Sequence, residues 1–126
     1  MVATRRRFLV VAALAALPAD QAPAGDRMTV MALRLTELVS GTTAARRIAA
    51  TYLAEVPETD FRRAAIGLDM PAVLAPAEGT METFALRTWL GARIRADFEM
   101  GAVIDVAGWR LSRTEVGACL LVASVA

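Results

Sequence analysis

The sequence has 126 residues, 56% of them hydrophobic, with 14 arginines, 13 acidic residues and neither lysine nor histidine. Without histidine there is no imidazole base and no histidine metal ligand, and the near-neutral balance argues against nucleic acid or an anionic membrane surface as partner. A single cysteine, Cys119, excludes an internal disulfide.

The chain opens with three arginines (Arg5, Arg6, Arg7) followed by an apolar run over residues 8–17. Pro18, Asp20 and Gln21 come next, then Ala22-Pro23-Ala24, which has the small-x-small form of a signal-peptide cleavage site. Ten apolar residues fall short of the ~20 that a spanning helix needs. We therefore expect residues 1–24 to be removed, with Ala22 and Ala24 defining the site, and residues 25–126 to form one small domain. Three arginines and Asp20 leave with the leader, so the mature chain keeps 14 − 3 = 11 arginines and 13 − 1 = 12 acids. The run Thr4-Arg5-Arg6-Arg7-Phe8-Leu9 resembles the twin-arginine (Tat) signal, which carries folded proteins across the bacterial inner membrane. The resemblance implies that Arg5, Arg6, Phe8 and Leu9 address the chain to the Tat translocase, and that its destination is the periplasm.

Beyond the leader the periodicity is helical. A helix is expected over residues 28–40, with Met28, Met31, Leu35 and Leu38 on one face and Gly41 as its left-handed stop. Thr42 or Thr43 is expected to cap the next helix, which turns Ala45, Ile48, Ala49, Tyr52, Leu53 and Val56 inward and Arg46, Arg47 and Glu55 outward before Pro57. A third helix runs from Thr59 or Asp60 to about Leu68, with Phe61, Ala64, Ala65 and Leu68 inward and Arg62 and Arg63 solvated. The two arginine pairs are a solvated face or, in a sharper reading, a basic ridge for an acidic partner. Pro71, Pro76 and Gly79 mark residues 70–79 as a loop.

Thr80 is expected to cap the longest helix, ending at Gly101, with Leu86, Leu90, Ile94 and Phe98 as its inward ladder. Arg93 with Asp97, and Arg95 with Glu99, have i, i+4 spacing and read as surface ion pairs of ~0.2–0.5 kcal/mol each. Val103, Ile104 and Val106 favour a short strand or ribbon bent at Ala107-Gly108. Ser112-x-x-Glu115 is a capping box, in which each side chain takes the other's backbone N–H, together ~1 kcal/mol. Residues 116–126 are apolar on every side apart from Ser124, so that helix must be buried, in this domain or under another protein. The expected fold class is all-α: a small bundle of four to five helices with a short extended segment before the last.

Chemistry is hard to place on this chain. Ser112 and Glu115 are explained by capping, and Asp97, Glu99 and Asp105 do not share one face. No haem-attachment motif, phosphate loop or zinc spacing occurs. We expect no catalytic residue, no metal site and no cofactor in this chain. Cys119 is either a small buried hydrophobe or half of an intermolecular disulfide. As partner-contact residues we single out Trp109 and, on the last helix, Cys119, Leu120 and Leu121.

Tat cargo commonly folds around a cofactor before export, so a chain without one reads as an escort. The mature sequence resembles the small (gamma) subunits of membrane-bound, flavin-dependent sugar and polyol dehydrogenases, of the sorbitol dehydrogenase small-subunit and gluconate dehydrogenase subunit-3 type. Leu33-Arg34-Leu35-Thr36-Glu37-Leu38-Val39-Ser40-Gly41 is similar to that family's L-[ST]-x-x-L-[ST]-G helix. Arg47-Ile48-Ala49-Ala50-Thr51-Tyr52-Leu53 is similar to its R-x-[AL]-x-x-[YF]-L. Asp97-Phe98-Glu99-Met100-Gly101, the valines up to Val106, Trp109 and the helix after Ser112 echo the order of its later motifs. The sequence departs from the family at Ala126, before the usual C-terminal extension with its own cysteine. The resemblance implies a non-catalytic accessory subunit, with FAD in a large dehydrogenase partner and electrons passing to a cytochrome c subunit. Membrane association then comes only through the complex. The alternative is a stand-alone exported binding or envelope protein.

Overall fold

A computed structural model describes residues 24–39, 41–56, 59–75 and 81–125. Among them are six helices and a two-stranded hairpin: α1 (Ala24–Thr36), α2 (Thr42–Glu55), α3 (Phe61–Gly67), α4 (Met70–Val73), α5 (Thr83–Met100), β1 (Val103–Val106), β2 (Trp109–Ser112) and α6 (Arg113–Val125). The domain is mainly helical, as its periodicity implied, with α4 as an addition. No helix among the described residues is long and apolar enough to cross a membrane.

Everything packs around α6, which touches each of the other five helices and both strands. Val116, Leu120, Leu121 and Val122 are all fully buried in it. Its faces are taken up by neighbours with matching stripes. On α1 these are Met28, Met31, Ala32 and Leu35, at i, i+3, i+4 and i+7. On α2 only Ala45 and Ala49 are fully buried, and small residues let the two helices approach closely. Ala64 and Ala65 do the same on α3.

The N-terminus of α6 is where this burial is made possible. The first N–H groups of a helix have no partner inside it, and leaving them unpaired in a core is costly. Here four are satisfied in succession. The Ser112 N–H donates to Glu115 Oε1 (2.9 Å), and the Glu115 N–H donates to Ser112 Oγ (2.9 Å). The Arg113 N–H donates to the Ala102 carbonyl (3.0 Å). The Thr114 N–H donates to Asp97 Oδ2 (2.8 Å), a carboxylate reaching across from α5. The capping box is thus formed as its spacing implied, and a third side chain joins it.

Asp97 overturns its expected role as a surface ion-pair member, being only 1% exposed. Arg93 Nε stands 3.6 Å from Asp97 Oδ1, an ion pair that is too long for a hydrogen bond. Among the described residues Arg95 and Glu99 form no ion pair. The inward ladder on α5 also drifts, because steps of four residues overshoot a turn by about 40°. Asp97 lies within ~20° of buried Leu86 around the helix, and Phe98 about 120° away. Phe98 is accordingly exposed.

Other boundaries differ from expectation. Helix α1 ends at Thr36, whose hydroxyl donates to the Ala32 carbonyl (2.8 Å), and the chain turns through Glu37 N–H to Arg34 O and Leu38 N–H to Leu35 O bonds. Gly41 is therefore no left-handed stop; it is extended (φ −176°) at the cap position of α2, and Thr42 and Thr43 lie inside that helix. Asp60 does cap α3, accepting from the Arg63 N–H at 2.8 Å. Arg62 is not simply solvated, since its guanidinium donates to Thr29 Oγ1 (3.3 Å) on α1. Arg34 donates to the Met81 carbonyl, tying α1 to the approach of α5.

The expected loop from residue 70 begins instead as α4, with Pro71 in its first turn, where a missing N–H costs nothing. Met70 and Leu74 are fully buried, so this segment belongs to the core. Helix α5 is capped by Glu82, which accepts from the Phe84 N–H at 2.9 Å; Thr80 lies outside the described residues. Gly101 ends α5 in the left-handed region (φ 75°), as expected. The hairpin is antiparallel, pairing Val103 with Ser112 and Val106 with Trp109. Ala107 and Gly108 both have positive φ, the pattern of a tight two-residue hairpin turn.

Two stability outcomes follow. Asp97→Ala orphans the Thr114 amide and should cost ~2–4 kcal/mol in urea unfolding, whereas Asp97→Asn keeps an acceptor and should cost about half as much. Arg93 is partly solvated, so its lost charge partner contributes little of this. Equal losses for the two variants argue that charge, not the cap, is what matters. Gly117 faces the buried Met70 side chain, which an added Cβ would overlap. Gly117→Ala should destabilise by ~1–2 kcal/mol despite a gain in helix propensity, and Met70→Ala should relieve that loss in a double-mutant cycle.

Candidate partner-contact surface

One face of α2 borders the core without entering it. Ala44, Arg47, Ile48 and Thr51 recur at i, i+3, i+4 and i+7, beside the buried pair Ala45 and Ala49. The hairpin rises opposite, presenting Val106, Ala107, Trp109 and Leu111. Between these walls lies a groove of about 450 Å3, open to solvent along one side. Val106 anchors the hairpin, being 3% exposed, while its cross-strand partner Trp109 stands at the rim and is 72% exposed. An exposed indole beside an apolar groove is the kind of feature that concentrates binding energy in an interface.

A second, more open recess of about 440 Å3 adjoins it, formed by Thr43, Arg46, Arg47 and Ala50 of α2, Phe61 of α3 and Ala123 of α6. Arg47 borders both. Neither Arg46 nor Arg47 takes part in an ion pair among the described residues, and both are exposed. By contrast Arg110 is matched with Asp105 at 3.6 Å on the hairpin surface.

Of the expected contact residues, Trp109 is accessible. Leu120 and Leu121 are not: both are 0% exposed, buried by the domain's own helices, so no partner reaches them while the domain is folded. The apolar last helix is covered from within this chain. Cys119 is partly buried. Burial, with a smaller effect from the Glu115 charge, pushes its thiol from 9.0 up to about 11. It is thus protonated at neutral pH and a poor nucleophile. The groove residues that periodicity alone did not join to α2 are those of the hairpin, Val106, Ala107, Trp109 and Leu111. A stripe at 44, 47, 48 and 51 was readable, but nothing in the sequence says that the hairpin faces it.

Arg5, Arg6, Phe8 and Leu9, expected to act in targeting, and Ala22 of the expected cleavage site lie outside the described residues, and Ala24 begins α1. Ser112, Glu115 and Asp97 are spent on the start of α6. Among the described residues no three His, Cys, Asp or Glu side chains converge as a metal site would require. In comparison with known proteins, no family model matches the chain, and no curated protein or solved structure shows significant similarity to it. The likeness to dehydrogenase small subunits rests on the motifs quoted above.

The shift of Cys119 has a measurable consequence. Below pH 9 its thiolate fraction is about 100-fold lower than that of a free thiol. Alkylation of the folded chain at pH 8 should be slower than that of the unfolded chain by about this factor, and should climb about tenfold per pH unit until pH ~11. The folded state favours the protonated thiol, so this contribution to stability is intact below pH 9 and lost as pH rises towards 11. Equal alkylation rates in folded and unfolded chains would contradict the burial.

Proposed function

We propose that this chain is a non-catalytic accessory subunit that carries the export signal for a larger partner, a periplasmic FAD-dependent sugar or polyol dehydrogenase. In this reading FAD belongs to the partner and a cytochrome c subunit takes the electrons. This chain escorts the dehydrogenase through the Tat translocase and then stabilises it. The observation that carries the reading is the groove beside Trp109, an accessible contact face on a domain that follows a twin-arginine run. A second reading, a stand-alone exported protein, draws on the fact that α6 is covered from within. Exposed Phe84, Met100 and Trp109 weigh against a closed polar surface.

Co-expression of the full chain with a flavoprotein dehydrogenase from the neighbouring genes separates the two. Replacing Arg5 and Arg6 with Lys should leave the dehydrogenase in the cytoplasm. A dehydrogenase that still reaches the periplasm, or a neighbourhood with none, ends the escort role.

A further inference from the structure

The polar content of the groove between α2 and the hairpin is very small. Its walls are Ala44, Ile48, Val106 and Leu111, with Trp109 at the rim. Among the described residues Thr51 is the one hydroxyl in the lining, and it already donates to the Arg47 carbonyl at 2.8 Å. That leaves the Arg47 guanidinium, with Arg46 next to it over the adjoining recess. Among the described residues no acidic side chain lines either recess. A surface that is apolar and carries an anionic acceptor at its edge complements this lining.

We propose that this groove docks an amphipathic acidic segment of a partner protein. Aliphatic side chains of the segment fill the groove under Trp109, and a carboxylate at its edge meets Arg47. Charge complementarity selects the occupant, because among the described residues the Arg47 fork has no ion-pair partner and no carboxylate lines the groove to receive a cation. A nucleic acid would place several phosphates here, and the chain's near-neutral balance does not supply the cations for them. The proposal rests on the accessory-subunit reading only for the existence of a partner.

The test uses the full chain with Trp89→Phe, which leaves Trp109 as the single tryptophan. It is titrated with two synthetic helical peptides that share one leucine face, one with a glutamate polar face and the other with a lysine polar face. The glutamate peptide should move Trp109 emission to shorter wavelength and bind about tenfold more tightly than the lysine peptide, with the preference shrinking as salt rises. Arg47→Glu should reverse the preference, while Arg63→Glu, an exposed position on α3, should leave it unchanged. Far-ultraviolet circular dichroism checks that each variant keeps its helix content. Equal binding of the two peptides overturns the proposal, as does an equal effect of Arg63→Glu. An emission shift that grows with protein concentration in the absence of peptide also overturns it, since a second copy then fills the groove. None of these readouts needs export. Failed peptide recognition leaves the escort role standing, and failed co-export with intact recognition removes the escort role alone.

Discussion

A helix with no polar side must solve its backbone ends before it can be buried, and the start of α6 is where this domain does so. Four successive N–H groups, from Ser112 to Glu115, find acceptors in a side-chain pair, a loop carbonyl and a carboxylate from another helix. Each such bond contributes about 1 kcal/mol net, and more for the carboxylates, but each left unmade in the core would cost more than that. The site also fixes geometry. Asp97 reaches Thr114 only if α5 lies alongside, and Ala102 reaches Arg113 only if the chain doubles back as a hairpin.

The remaining packing follows from placing that helix at the centre. Helices α2 and α3 approach through alanines, and α4 lays Met70 against Gly117. These contacts are close, so they tolerate little added volume. What the bundle does not enclose is the flank of α2 facing the hairpin. There the fully buried stripe is only two alanines wide, and the larger side chains beside it, Ile48 and Leu111, are left as the walls of a groove.

The features readable from the sequence were the local ones. Ser112 and Glu115 are three residues apart and cap each other without help, so spacing alone identifies them. Val103 to Leu111 reads as a ribbon because the β-branched residues Val103, Ile104 and Val106 lead into a two-residue bend. Asp60 and Gly101 likewise act within their own turn. Features decided at long range leave no mark in local spacing. Asp97 has an ordinary i−4 arginine, and only the fold brings Thr114 to it. Gly41 and Thr42 depend on where the preceding helix stops, which is Thr36. An apolar last helix can be buried by its own domain or by another protein, and composition does not choose. That ambiguity is why Leu120 and Leu121 pointed outward in the sequence and inward in the structure. The groove is the extreme case, since its two walls come from elements about fifty residues apart.

Placing α6 at the centre also sets an order of events during synthesis. The segment that all the other elements lean on emerges from the ribosome after every one of them. Helices α1 to α5 are made before the helix against which all five pack. The bundle can close only once residues 112–125 are out.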